Sequence, residues 1–182
     1  MAESNASGTL NLGFLTVLQE TSGQLGGYLV TNVWGRPLEF RLSTAVQPNR
    51  VQQILYGRTM EQYICADLIG KTLFEKTGTA AQLIITDREA ALDLRLHLPA
   101  PVIWHVAGND AGAAALQKLG GEVRPAHQGR GALLCHPRFL ADVPAVRSLL
   151  DRIDDSLDLS EPFVRIREAI GEARKLGVTG KN

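Results

Sequence analysis

Cysteine is scarce in this chain. Cys65 and Cys135 are the only two among 182 residues, too few for the disulfide framework of a small secreted scaffold. Net charge is absent too. The 19 basic groups balance 19 acidic ones, so a broad electrostatic footprint for DNA or RNA is missing. No apolar run approaches the roughly 20 residues that a spanning helix needs. Met1 to Gly8 is small and polar, with no basic segment leading into an apolar one, so no signal peptide is visible and the expected location is cytoplasmic. Phosphate-cradling glycine motifs are missing as well: there is no G-x-G-x-x-G, and Gly129-Arg130-Gly131 lacks the Lys-Ser/Thr of a P-loop.

What remains is the composition of a globular domain. Hydrophobic residues make up 45% and charged residues 21%, enough to bury a core and to stay dissolved. The expected organisation is a flexible tail over 1–10 and a single domain over 11–182. That domain is divisible into a meander with helices (11–79) and a βαβ-like half with a helical hairpin (80–182).

Three short strands open the pattern, at Phe14–Leu18, Tyr28–Thr31 and Leu38–Leu42, with turns at Thr21-Ser22-Gly23 and Trp34-Gly35-Arg36-Pro37. Leu38, Phe40 and Leu42 alternate with Glu39 and Arg41, as one buried and one wet face require. Gly26-Gly27 marks a bulge or a close backbone approach. Pro48 opens a helical stretch, and Thr59 with Gln62 reads as the capping box of a helix from Met60 to Lys76.

From Gln82 the rhythm changes. The apolar runs Leu83–Thr86 and Val102–Val106 alternate with helices expected after Asp87 and after Asn109 or Asp110. That is the signature of βαβ units and a parallel sheet. Strands at Val123 and Ala132–Cys135 follow, then two amphipathic helices capped by Asp142 and Ser160. The fold class expected is α+β or mixed α/β: a three-stranded antiparallel meander with helices, a βαβαβ-like half and a C-terminal helical hairpin.

Every polar cluster has a structural explanation beside a functional one. Thr86, Asp87, Gly108, Asn109 and Asp110 stand at strand ends, where ligands bind in open α/β sheets. Helix capping alone also accounts for them, and Asp87 and Asp110 would repel an anion. Cys135 and His136 could pair as nucleophile and base, with Arg138 nearby. Adjacent strand residues face opposite ways, however, so an inert buried thiol is the simpler expectation. Cys65, His97, His105, His127, Cys135 and His136 lack metal-ligand spacing, and no metal or cofactor is expected. Arg36, Arg41, Arg50 and Arg58 with Trp34 and Tyr56 form the one stretch resembling a nucleic-acid surface.

The function expected from these residues is a non-catalytic protein-interaction or regulatory module of a larger assembly. It would contact its partner through Trp34 and Arg36 and through the C-terminal helices, with nucleic acid not expected beyond the local arginine patch and no membrane partner. One alternative is a small-ligand or nucleotide-binding domain using the strand ends. A second is a hydrolase or transferase built on Cys135 and His136.

Overall fold

The computed structural model describes residues 8–108, 110–126 and 131–177. Asn109, His127, Gly129 and Arg130 lie outside the described residues. Among the described residues seven strands form one mixed sheet: β1 (Leu12–Glu20), β2 (Gly23–Thr31), β3 (Pro37–Leu42), β4 (Leu83–Thr86), β5 (Val102–Val106), β6 (Glu122–Val123) and β7 (Ala132–Cys135). Their spatial order is β3-β2-β1-β4-β5-β7-β6.

The meander is antiparallel, with Leu12 opposite Thr31 and Gly27 opposite Leu42. β4 then lies parallel to β1, and β5 parallel to β4. Strands buried on both faces need apolar residues throughout, which is why β4 and β5 read as unbroken apolar runs. β7 inserts between β5 and β6, antiparallel to each. The mixed α/β class expected from the sequence is therefore the class observed.

Helices cover both faces. α1 (Arg50–Tyr56) and α2 precede β4. α2 is a continuous rod that is α-helical over Met60–Gln62, passes through wider π-type turns over Tyr63–Gly70, and returns to α form over Lys71–Lys76. A 3-10 helix (Glu89–Leu96) links β4 to β5, where a regular helix was expected. It packs with α2 over Leu15, Tyr28, Ile84, Trp104 and Leu134. α3 (Ala111–Lys118) follows β5. On the other face α4 (Asp142–Leu150) and α5 (Glu161–Lys175) cover Phe14, Leu29, Ile85, Ile103 and Leu133.

Gly26 and Gly27 serve close approach. A Cβ at Gly26 would overlap Ile69 of α2, and one at Gly27 would overlap Ile166 of α5. Consecutive strand residues face opposite sides, so the pair lets a helix settle onto β2 from each face.

Several expected caps are replaced by other contacts, two local and one tertiary. Thr59 does not cap α2, since its hydroxyl donates to the Tyr56 carbonyl at 2.8 Å. The capping box belongs instead to Asn49 and Gln52 at the start of α1. Asp142 is ion-paired with Arg95 at 2.7 Å, and Ser160 donates to Asp158. Asp110 does cap α3, accepting from the Gly112 and Ala113 amides.

Candidate functional site

The strand-end residues picked out in the sequence do not converge. Thr86 is buried, and its hydroxyl accepts from the Arg88 amide at 3.1 Å. Asp87 is ion-paired with Arg167 of α5. Gly108 and Asp110 line a separate cavity of about 370 Å³, walled mostly by Ala111, Ala113, Ala114 and Ala132. Its electrostatics oppose an anion. Gly112 packs against the Glu89 carboxylate, and burial, then Asp110 and Glu61, push the Glu89 carboxyl above its ordinary range. A phosphate at the start of α3 would meet those negative groups rather than a free helix end.

Cys135 closes β7 and packs in the core beneath α4 and α5, whereas His136 lies just beyond the strand and turns to the 3-10 helix. Burial pushes the Cys135 thiol up to about 12. His136 is buried, accepts from the Arg138 amide on Nδ1 at 3.1 Å, and meets Asp93 Oδ1 through Nε2 at 3.1 Å. That arrangement makes Nε2 the protonated nitrogen and commits both ring atoms. Cys65 is raised to about 12 by burial as well. Neither thiol is poised as a nucleophile.

The arginine stretch is divided by the fold. β3 runs from the Thr31 end of β2 toward its Gly27 end, and Val46 bridges Gln24 beyond that. Arg36 therefore lies at one end of the sheet, Arg41 along its edge, and Arg50 and Arg58 toward the other end. Arg41 is paired with Glu39. Trp34 is 66% exposed, and its indole lies beside Asp154 in the link between α4 and α5.

Two polar pockets were not foreseen. The first, of about 230 Å³, is lined by Tyr56, Tyr63, Asp67, Asp93 and His97, with Thr59, Gln62 and Leu96. There Tyr56 stacks on Tyr63 at 4.0 Å between centroids, and His97 meets the Asp67 carboxylate through Nε2.

The second lies at the C-terminal end of β1 and encloses about 300 Å³. Gln19, Gln24, Gln47 and Gln53 line it, with Thr21, Gly23, Val46, Pro48, Met60 and Ile64. Each glutamine arrives by a different route: the end of β1, the start of β2, the loop after β3, and α1. Gln24 is fixed by backbone bonds of 2.8 and 2.7 Å with Val46, and its side-chain oxygen accepts from the Cys65 thiol at 3.7 Å. Gln19 donates to the Glu20 carbonyl, and Gln53 to the Pro48 carbonyl. These bonds occupy one end of the Gln19, Gln24 and Gln53 carboxamides. Neighbouring acids are already engaged, Glu20 with Arg174 and Glu61 with Arg88. The sequence signal was there, in the recurrence of glutamine at 19, 24, 47, 52 and 53, but nothing local shows that four of the five meet.

Among the described residues no three His, Cys, Asp or Glu side chains group as metal ligands, and no helix is long and apolar enough to cross a membrane.

No family model matches the chain, and no curated protein matches it. Among solved structures it is similar to endonuclease V from Bacillus subtilis, at 10% identity and a TM-score of 0.46, over 91% of this chain and 83% of that one. The expectation of a non-catalytic interaction module does not hold, and neither does the expectation that nucleic acid is not a partner. The docking faces expected on the C-terminal helices are not free. Val146, Leu150, Phe163, Ile166 and Ile170, the apolar faces meant to dock a partner, are buried against the sheet.

Proposed function

We propose that the chain binds single-stranded nucleic acid, seating one base in the glutamine-lined pocket and holding adjoining phosphates with Arg50 and Arg58. The observation that carries this reading is the convergence of four carboxamides at a strand end. A carboxamide presents donor and acceptor side by side, the pattern that pairs with a base edge. It also carries no charge to repel the backbone. The volume suits one ring system at the lower end of the range for small-molecule sites. Arg50 and Arg58 bracket α1, which contributes Gln53 to the pocket, and neither has an acidic partner among the described residues. A single strand is favoured over a duplex because its base edges are unpaired and can be splayed into a pocket. A cytoplasmic setting, where thiols stay reduced, fits the two free cysteines.

The test is fluorescence anisotropy with labelled homopolymers of about ten nucleotides, a length within the range that single-strand binding folds cover, and with a duplex control. Charge reversal in R50E/R58E should weaken every single strand and lower the salt slope by about 1.4, two phosphate contacts at about 0.7 each. Q24A/Q47A should change which base is preferred while leaving the salt slope unaltered. Absence of binding at low salt refutes the proposal, and so does a Q24A/Q47A protein with unchanged base preference.

A further inference from the structure

The sheet ends at β3, and among the described residues no strand lies outside it. Its backbone polarity can be read from the ladder. The Ser43 amide donates to the Gly26 carbonyl at 2.9 Å. Bonding residues alternate in an antiparallel pair, so Arg41 and Glu39 turn their amides and carbonyls inward to Tyr28 and Val30. Phe40 and Leu42 turn theirs outward, while Leu38 falls at a bulge, where Glu39 opposes Val30 and Pro37 opposes Thr31. The side chains divide by the same alternation. Leu38 and Phe40 are 47% and 37% exposed, and Phe40 borders an apolar groove with Leu29, Pro37, Ile166 and Ala169. Glu39 and Arg41 stand on the opposite face, where Glu39 accepts from the Gly78 and Thr79 amides.

An edge of this kind is a template for another strand. We infer that β3 pairs with β3 of a second copy of this chain, antiparallel and centred on Phe40. In that register each Phe40 faces its counterpart, Leu38 faces Leu42 of the second copy, and Glu39 faces Arg41 of the second copy in both directions. The outward amide and carbonyl of each Phe40 then meet those of its counterpart. The two Glu39–Arg41 pairs fall at the closer, non-hydrogen-bonded positions, where cross-strand charge pairs act most strongly. Registers centred on Glu39 or on Arg41 set like charges face to face. A two-fold axis through Phe40 closes the contact as a dimer and removes both open edges at once.

Light scattering on the full chain at high protein concentration tests this directly. The wild type should be a dimer, weakened by salt. R41E sets one carboxylate against another, that of Glu39 in the second copy, and should be monomeric. F40P removes an outward amide without touching the ladder to β2, and should also be monomeric. Amide hydrogen exchange of the wild type gives a reading that needs no variant, with Phe40 and Leu42 protected in the dimer. A monomeric wild type overturns the inference. So does a dimer whose Phe40 and Leu42 amides exchange freely, or R41E and F40P proteins that keep the native circular dichroism and remain dimeric.

Discussion

Replacing Gly26 with alanine asks how tightly β2 is clasped by α2. A Cβ placed there would come within 3.0 Å of Ile69 Cγ2 and to 3.2 Å from Leu73 Cδ1. Both neighbours are buried, at 0% and 2% exposure, and a β-branched side chain in a helix has essentially one rotamer to offer. The strand cannot retreat, because Ile166 and Ile170 press on Gly27 from the other face. Overpacking by a methyl group commonly costs about 1–3 kcal/mol, and with no direction of relief the expected loss is about 2–3 kcal/mol. Ile69→Leu is the informative companion. It moves the branch from Cβ to Cγ, deletes the offending methyl, and alone should cost under about 1.5 kcal/mol. The double variant should then be more stable than the sum of the singles by about 1 kcal/mol or more. Urea denaturation followed by circular dichroism measures all three, with the m value held constant as the check on two-state behaviour. A G26A protein within about 0.5 kcal/mol of wild type, or strict additivity in the pair, refutes the clasp.

Glu39 provides a pH prediction. The Thr79 and Gly78 amides, followed by Arg41, lower its carboxyl to about 2 from an ordinary 4.5. A depressed native value stabilises the fold above the unfolded value, and that contribution is lost as pH falls from about 4.5 toward about 2. The melting temperature of E39Q should therefore converge on that of the wild type as the pH is lowered through that window. Cys65 and Cys135 should label with iodoacetamide far more slowly in the native protein than free cysteine does, and at full rate in urea, because burial suppresses the thiolate. Trp34→Ala should cost only about 0.5–1.5 kcal/mol, because the indole is mostly exposed and one polar contact at most is lost. A loss of about 3–5 kcal/mol would show that this exposed indole behaves as core.

The sequence announced the strands better than their neighbours. Leu83–Thr86 and Val102–Val106 were legible because burial on both faces demands unbroken apolar runs. The placement of β4 beside β1 was not legible, since that pairing depends on the whole chain between them. Asp87 looked like a helix cap because capping is local, whereas its actual partner, Arg167, is 80 residues away. Asp142 was misread for the same reason, its carboxylate being held by Arg95. His136 lies just beyond the end of β7 and turns to Asp93, 43 residues away, a contact that no local pattern announces. The glutamine pocket escaped notice because carboxamides carry neither charge nor spacing rule.

One wall of that pocket has an unusual mechanical standing. α1 buries none of its seven residues and relies on the Asn49–Gln52 box at its first turn. Helices that short are marginal in water without tertiary support, so α1 should open and close far more often than the sheet beneath it unfolds. Gln53 rides on this wall, whereas Gln19 and Gln24 are anchored in strands. A guest would enter through a hinged panel in a fixed frame, and only the closed fraction of the population could hold it. Helix propensity at exposed positions such as Val51 and Leu55 thus becomes a dial on affinity, turned without altering any atom that the guest would touch.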